Sequence, residues 1–203
     1  GWQNNIATYS SIAAIANNYG IDVPFKRPKE LSGDRVPLVT TTKHAMLAMD
    51  ELGYKGDIIV QLSPTCPFIK IENISKSIQY VSKKDCECAV SLKRIEHEHP
   101  YRARRVLENN YFENFIQNIN VEGKQYHSRQ DLPLLFSTSG AIYTRKRHLL
   151  EKYDEQDFAM GKLRKGIIMD DIESINIDRM IDFQFAKYLL TQNLSKEYIL
   201  KNA

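Results

Sequence analysis

Residues 57–68 have the sequence DIIVQLSPTCPF, in which an apolar run ends at two prolines that enclose small polar residues. A short apolar run closed by turn-forming residues predicts a strand buried on both faces, as in parallel sheets covered by helices. Pro64 and Pro67 supply no backbone N–H and favour extended geometry in the preceding residue, so we expect a fixed loop over residues 63–67. Ligands of open α/β sheets bind at such strand ends. An ordinary connection is the alternative, because fold alone does not establish function.

Strand and helix patterns alternate on both sides of this stretch. Apolar residues with a period of 3.6 predict helices over residues 10–19, 40–52, 71–81 and 179–190. The last of these helices is expected to bury Ile181, Phe185, Tyr188 and Leu189. Short apolar runs predict strands over residues 6–8, 86–92, 139–144 and 166–169. Such alternation implies crossover connections and a mostly parallel α/β sheet with helices on both faces.

Composition excludes several classes of protein. The chain has 203 residues, which is enough for one domain with a sizeable core and no need of disulfide or metal staples. We expect neither a membrane span nor a signal peptide, because no apolar run approaches the ~20 residues that cross a bilayer. The 28 basic and 25 acidic residues are too balanced to indicate a nucleic-acid surface, although a small anionic ligand is compatible with this charge.

The chain has three cysteines, of which Cys86 and Cys88 lie two apart in a predicted strand, where they cannot bridge each other. They are predicted to be reduced core residues of a cytoplasmic protein. A zinc site is the alternative, and it would need His97 and His99 as its further ligands.

Residues 93–130 form a long excursion between predicted strands. Aromatic, Asn and β-branched residues surround Gly123, which predicts longer antiparallel strands with a turn at that glycine. The excursion is too rich in apolar side chains to lie in water alone, so we expect them to pack on a second copy of the chain in a homodimer. These side chains are Tyr111, Phe112, Phe115, Ile116, Ile119 and Val121. A solvated hairpin is the alternative. Both His97 and His99 are expected to be exposed here.

Residues 62–68, LSPTCPF, resemble the L-Q-P-T-S-P-[LF] signature of the acylneuraminate cytidylyltransferases, which activate sialic acid and related nine-carbon sugar acids as CMP-sugars. Further matches follow in the family's order at residues 23–31 (VPFKRPKEL), 129–133 (RQDLP), 140–143 (GAIY), 174–178 (SINID) and 181–183 (IDF). The resemblance implies a Rossmann-like domain over residues 1–203 and a dimerisation arm over about residues 93–130. It also implies transfer of CMP from CTP to a nonulosonic acid with release of pyrophosphate. The sequence HPY at residues 99–101 resembles the bacterial legionaminic or pseudaminic type.

The same resemblance suggests roles for individual residues. Arg129 matches the arginine of R-Q-D-L-P, where a guanidinium suits bidentate contact with a carboxylate or phosphate, and would act at the partner's site. Asp178 matches the second aspartate of the family's I-D-I-D motif and is the candidate catalytic Mg²⁺ ligand, with a helix N-cap as its alternative role. Asn176 stands in place of the first aspartate, so a metal site here would hold less negative charge.

Two short segments are the expected substrate-binding elements. The first is Ser63, Pro64 and Thr65, where Ser63 replaces a glutamine of the family, and the second is Ser139, Gly140 and Ala141, where Ser139 replaces an asparagine. These replacements leave the identity of the sugar open.

One feature of the family has no match here, namely a glycine-rich and basic loop that wraps the CTP phosphates near the start of the domain. Either the sequence lacks about the first 35 residues of the family's domain or the protein is a degenerate relative. Two functions follow as hypotheses: a Mg²⁺-dependent cytidylyltransferase acting on CTP and a sugar acid, or a non-catalytic binding or regulatory subunit.

Overall fold

The computed structural model describes residues 6–33 and 35–192. The chain divides into two compact units, unit 1 with Gly1–Gln61, Ser77–Ala89 and Tyr143–Lys165, and unit 2 with Leu62–Lys76, Val90–Ile142 and Gly166–Ala203. The helices are α1 Ile6–Asn18, α2 Leu38–Glu51, α3 Ile71–Val81, α4 Arg147–Glu151 and α5 Met180–Thr191. The strands are β1 Ile58–Leu62, β2 Cys88–Arg94, β3 Arg104–Val106, β4 Phe112–Asn114, β5 Phe136–Lys146 and β6 Arg164–Met169. The predicted α/β class is confirmed.

Four strands form one sheet in the order β1-β5-β2-β6. The N–H of Ser63 donates to the Ala141 carbonyl at 3.0 Å and that of Arg147 to the Asp57 carbonyl at 2.8 Å, so β1 and β5 are antiparallel. The bonds from Ile95 to Leu135 and from Lys146 to Glu87 pair β2 and β5 in the same antiparallel sense. Both of these pairs are antiparallel, where the sequence predicted a mostly parallel sheet. The physical reason is that residues 95–135 contain no α-helix, so β5 returns without a helical crossover.

The excursion contains a short ribbon rather than long strands. β3 pairs with β4 antiparallel, with Arg104 opposite Asn114 and Val106 opposite Phe112. The chain turns through Asn109 and Asn110, which both have positive φ, at 56° and 63°. Asparagine tolerates this left-handed region better than most residues. A turn does close at Gly123, whose N–H donates to the Asn120 carbonyl at 3.0 Å, but the predicted hairpin around it is wrong, because the described chain has no strand between β4 and β5 and a 3₁₀ turn follows Gly123 directly.

The two terminal helices depart from the sequence analysis. Helix α1 already begins at Ile6, so the predicted strand over residues 6–8 is wrong; three residues are too few for a strand period to be read against the helical pattern that follows. Gly20, with φ 74°, ends the helical segment as predicted. In α5 Leu189 is buried as predicted, but Ile181, Phe185 and Tyr188 are at least half exposed. A periodic stripe locates a helix face without specifying what covers it.

Each unit has its own apolar core. In unit 1, Leu150 is fully buried and packs with Val39, Met46, Tyr153 and Ala159. Unit 2 contains two clusters, one of Cys66, Ala141, Ile142 and Met169, and one of Phe68, Ala186 and Leu189. Strand β1 is only half buried, although burial on both faces was predicted, because it lies at an edge of the described sheet. In the described residues no helix combines the length and apolar character of a bilayer span.

Unit 1 also buries a cation, Arg145 on β5, which is 2% exposed. Its guanidinium donates to the carbonyls of Ala159 at 3.1 Å and Phe158 at 3.3 Å and to Gln61 Oε1 at 3.3 Å. It also lies 4.7 Å from the centre of the Tyr143 ring. Burial lowers the pKa of Arg145, and neutral oxygens and a π-face compensate its lost hydration.

Candidate functional site

Unit 2 contains an open pocket of about 770 Å³. Its lining is mostly polar and includes three of the predicted site residues, Ser139, Asn176 and Asp178. The other lining residues are Lys93, Glu98, Thr138, Asp171, Ser174, Ile175, Arg179, Asp182 and Phe185. Residues that follow β2 and β6 therefore meet at one cavity, as expected for a site at strand ends.

The loop after β1 contacts the segment that carries Asp178. The N–H of Ile177 donates to the Thr65 carbonyl at 2.9 Å, and Cys66 Sγ lies 3.7 Å from Asn176 Oδ1. Within the loop the hydroxyls of Ser63 and Thr65 are 2.7 Å apart and hydrogen-bond to each other. The LSPTCPF and SINID motifs, more than 100 residues apart in sequence, are thus neighbours in space.

Asp178 is not the N-cap of α5. Arg179 occupies the cap position, and its N–H donates to Asp182 Oδ2 at 2.8 Å. The alternative role predicted for Asp178 is therefore not realised, and its carboxylate lines the pocket. It accepts a 2.8 Å hydrogen bond from Asn176 Nδ2.

Magnesium prefers oxygen ligands and is usually held by one or two carboxylates together with substrate phosphates. Asp178 and Asp171 line the same pocket and supply such oxygens. Asn176 turns its amide nitrogen to Asp178 and its oxygen to Cys66, so it would offer oxygen to a cation at Asp178 only after rotating its amide. Within residues 6–33 and 35–192 no three His, Cys, Asp or Glu side chains are grouped as a metal site. The residues fit a cation that is shared with a phosphate ligand.

The second predicted segment lies within β5. Gly140 has φ 78°, in the left-handed region, and a Cβ added to it would meet no atom within 4 Å. Ser139 is 7% exposed, and its hydroxyl donates to Ser91 Oγ at 2.7 Å. Ala141 is fully buried and accepts the N–H of Ser63 through its carbonyl. Of the three, Ser139 alone lines the pocket, and its hydroxyl is already engaged with β2.

Arg129 lies in a different cavity of unit 2. This cavity, of about 280 Å³, is lined by Arg94, Ile95, Glu96, His99, Arg129, Gln130, Leu132, Pro133 and Leu134. Arg129 Nη1 donates to His97 Nδ1 at 3.2 Å. Asp131 accepts the Ser128 N–H at 3.0 Å and so fixes the loop. Within one chain the structure does not bring Arg129 and Asp178 to the same pocket.

His99 is 3% exposed, so the prediction that it is solvated is wrong. Its Nδ1 accepts the Tyr101 N–H at 3.2 Å, which assigns the ring proton to Nε2, 3.0 Å from the Pro133 carbonyl. The ring therefore ties residues 99–101 to the end of the RQDLP loop. Sequence reasoning missed this role because the partner lies 34 residues away.

Sequence reasoning also missed a buried carboxylate, Glu173, which is 2% exposed. It accepts hydrogen bonds from Asn73 Nδ2 at 2.8 and 3.0 Å and from the Lys70 N–H at 3.0 Å. Burial raises the pKa of Glu173, and the neighbouring Asp170 acts in the same direction. No spacing in the sequence DDIES distinguishes this glutamate from a surface acid.

The chain is similar in sequence to several known enzymes. The chain matches no protein-family model. It is 26% identical to the CMP-N,N'-diacetyllegionaminic acid synthase of Campylobacter jejuni over 91% of the chain and 75% of that protein. It is 29% identical to a pseudaminic acid cytidylyltransferase of Campylobacter jejuni, over 90% of the chain and 75% of that protein. It is 27% identical to the N-acylneuraminate cytidylyltransferase of Escherichia coli, over 85% of the chain and 38% of that protein. The resemblance to acylneuraminate cytidylyltransferases that the motifs indicated is thus confirmed along most of the chain.

Proposed function

We propose that the protein is a cytidylyltransferase that transfers CMP from CTP to a nonulosonic acid and releases pyrophosphate. One observation carries the proposal: the segment of residues 174–178, to which the loop of residues 63–67 is hydrogen-bonded, lines a polar pocket large enough for small anionic ligands. The similarity to three enzymes named as synthases or cytidylyltransferases of such acids supports the same reaction.

The reaction sets requirements that this pocket meets. A hydroxyl of the sugar acid attacks the α-phosphate of CTP, so the protein must align two anions and neutralise charge at the transferred group. Asp178, with Asn176 beside it, would hold Mg²⁺, which supplies Lewis-acid stabilisation of phosphate charge. Lys93 contributes a cation to the pocket wall. Arg179 is held by Asp182, with Nη2 3.1 Å from Oδ1, so its charge is already compensated.

Substrate would be held by the two segments named above. The paired hydroxyls of Ser63 and Thr65 each have a donor that can turn from its partner to a sugar or phosphate oxygen. Gly140 leaves open space beside β5, because a Cβ there would touch nothing within 4 Å. Pro64 lies in a turn that the Cys66 N–H closes by donating to the Ser63 carbonyl at 3.2 Å, and the Ala141 carbonyl anchors the loop through the Ser63 N–H.

We propose a homodimer in which Arg129 serves the partner's pocket, since within one chain it lies in a separate cavity from Asp178. Exposed apolar side chains of the excursion support a partner surface there. They are Val106 at 69%, Tyr111 at 71%, Phe112 at 66% and Phe115 at 57%. The excursion over residues 93–130 would then be the dimerisation arm of a single Rossmann-like domain. A cytoplasmic location is part of the proposal, in keeping with three unpaired buried cysteines.

Pyrophosphate release tests the reaction directly. The purified protein is incubated with Mg²⁺, CTP and one sugar acid, and separate reactions use a legionaminic, a pseudaminic or an N-acylneuraminic acid. In a second experiment, binding of CTP, ATP and UTP is measured by calorimetry. We expect turnover with at least one acid and preference for CTP. Asp178→Asn should abolish turnover, while Asp85→Asn, which changes an exposed ion pair with Lys165 in unit 1, should not. CTP binding without turnover would instead favour a binding or regulatory subunit, and equal binding of all three nucleotides would refute cytidine specificity.

Subunit mixing tests the shared site. Arg129→Ala and Asp178→Ala should each be inactive alone, while their equimolar mixture should recover up to about a quarter of wild-type activity, because half of the dimers would carry one intact site. Light scattering on the wild type and on a Phe115→Asp, Ile119→Asp variant measures the assembly. A monomeric wild type, or a mixture as inactive as its components, would contradict the proposal.

A further inference from the structure

We propose that the Glu173 carboxylate, with Asn73 and Lys70, is a positioning device that holds the proposed substrate loop against the segment carrying Asp178. The inference rests on the proposed function for its catalytic consequence. Its geometry is independent of that function, because Glu173, Asn73, Lys70 and the residues that they hold all lie within unit 2.

The carboxylate links two segments that are about 100 residues apart in sequence. Asn73 is the third residue of α3, and Lys70 immediately precedes that helix at the end of the loop after β1. Glu173 belongs to the turn that follows β6 and leads to Asn176 and Asp178. Two N–H···O contacts from Asn73 and one from the Lys70 backbone, all between 2.8 and 3.0 Å, engage both of its oxygens.

A second carboxylate braces the same turn. Asp170 Oδ1 accepts the N–H groups of Ile172 at 3.0 Å and Glu173 at 2.9 Å, which shapes the turn itself. Asp170 Oδ2 lies 2.9 Å from Lys70 Nζ, while Nζ is 3.9 Å from Glu173 Oε2. Lys70 therefore connects both carboxylates of the turn to the start of α3.

These contacts lie next to the hydrogen bond that joins the two candidate site segments. The Ile177 N–H donates to the Thr65 carbonyl at 2.9 Å, four residues beyond Glu173 on one side and five before Lys70 on the other. If the carboxylate is lost, Thr65 and Asp178 retain their own side chains but lose the bracing that fixes their separation. The network thus acts through other residues and does not itself line the pocket.

A core role alone does not account for this arrangement. Replacement of buried charged groups by apolar side chains is often neutral or stabilising, so a buried carboxylate is weak evidence for stability. Hydrogen bonds to a carboxylate, by contrast, are directional and fix one geometry. The Glu173 carboxylate is therefore better suited to fixing the relative position of the two segments than to stabilising the core.

The test is an isosteric exchange. Glu173→Gln puts an amide nitrogen in place of Oε2, 3.0 Å from the Asn73 amide nitrogen, and so weakens the bracing without changing volume: one of the three hydrogen bonds becomes a contact between two donors, and the charge that faces Lys70 Nζ is removed. The double variant Glu173→Gln, Asn73→Asp restores it with reversed polarity, since the introduced amide would donate to the introduced carboxylate and still accept the Lys70 N–H through its oxygen. Glu87→Gln is the matched control, because the Glu87 carboxylate also accepts N–H groups from another segment, those of the Lys162 and Leu163 backbone, but in unit 1.

The first readout needs no catalysis. By hydrogen–deuterium exchange followed by NMR, the Ile177 amide should exchange at least about tenfold faster in Glu173→Gln than in the wild type, because local opening costs less free energy there. The Ile142 amide, which donates to Ser91 Oγ at 2.8 Å in the same unit, should keep its rate. The double variant should return Ile177 close to the wild-type rate. An unchanged Ile177 rate in Glu173→Gln, or a double variant no better than the single one, would overturn the inference.

The second readout is kinetic and separates this inference from the proposed function. In Glu173→Gln kcat should fall at least about tenfold while KM for CTP changes less, since displacement of reacting groups by ~1 Å can cost about 10²-fold in rate. Glu87→Gln should lose a similar amount of thermal stability or more, yet retain its kcat. Equal losses of kcat in both variants would overturn the positioning role. An inactive wild type would refute the proposed function and leave the exchange experiment to decide on the network.

Discussion

Gly140 offers a prediction whose magnitude follows from two features of the structure. Its φ of 78° lies in the left-handed region, and a Cβ at this position would meet no atom within 4 Å. Gly140→Ala therefore adds no steric clash, and its cost comes from the backbone alone. A residue with a Cβ pays about 1–2 kcal/mol in this region. The smaller conformational freedom of the unfolded alanine chain offsets about 0.4–1 kcal/mol of that.

The expected net loss in the free energy of unfolding is about 1 kcal/mol, which corresponds to a fall in Tm of about 2–4 °C for a chain of this size. Gly140→Asn should lose roughly half as much, because asparagine is several-fold enriched at positive φ. Gly53→Ala is the matched control outside the pocket, since Gly53 has φ 87° and equally open surroundings. Gly56→Ala should stay within about 0.5 kcal/mol, because Gly56 does not have positive φ and its added Cβ meets the Ile58 carbonyl at 3.6 Å.

Urea unfolding of the four variants and the wild type measures these differences. A loss above about 3 kcal/mol for Gly140→Ala would point to a clash that the open space excludes. Equal losses for Gly140→Asn and Gly140→Ala would show that positive φ is not the source of the cost. Either result would refute the reasoning.

Three further predictions concern the rest of the chain. Leu150→Ala should cost about 3 kcal/mol in urea unfolding, because Leu150 is fully buried, while Leu52→Ala at a half-exposed position should cost less than about 0.5 kcal/mol; similar costs would contradict the assignment of the unit 1 core. The N–H groups of Leu163 and Lys162 lower the pKa of Glu87, so its contribution to stability is present above about pH 4.5 and is lost as the pH falls through the lower folded-state pKa. The stability difference between the wild type and Glu87→Gln should shrink below that pH, and a difference that is constant from pH 7 to about pH 3 would contradict this. Burial raises the pKa of Cys66 and raises that of Cys88 to about 11. A thiol reagent at about pH 8 should therefore label none of the three buried cysteines, Cys66, Cys86 and Cys88, in the folded protein and all of them in urea. Fast labelling without urea would contradict their burial.

The sequence predicted the elements that carry both a period and a stop signal. Helix α2 has apolar residues at one-face spacing and ends at Glu51, two residues before the predicted stop at Gly53, whose φ is 87°. Helix α3 was predicted with the bounds that the structure shows. The direction of β5 was not predictable in this way, because period and propensity act over a few residues, whereas strand direction depends on how the 41-residue connection of residues 95–135 returns to the sheet.

For the candidate site, the motifs identified segments rather than contacts. The sequence placed Thr65 and Asn176 in separate motifs that the structure brings together through the Ile177 N–H. It did not identify Glu173, because its partners Asn73 and Lys70 lie 100 and 103 residues away. It also interpreted His99 as exposed, since nothing in a short window reveals the Pro133 carbonyl that its ring contacts. Short sequence motifs thus identify the site loops, whereas hydrogen bonds between residues far apart in sequence determine how these loops are arranged.

The buried guanidinium of Arg145 limits which amino-acid replacements this part of unit 1 can accept during evolution. Its described partners are two backbone carbonyls, the Gln61 side chain and the Tyr143 ring, so a lysine with one ammonium group could not serve all of them from a single point. An apolar residue would leave the Phe158 and Ala159 carbonyls and Gln61 Oε1 with fewer donors in the interior. Gln61 Oε1 also accepts the Thr42 hydroxyl at 2.8 Å, so changes at Arg145, Gln61 and Thr42 are expected to be non-additive. Homologues that lose the arginine should therefore differ at these neighbouring positions together, and single replacements at Arg145 should be rare among functional sequences.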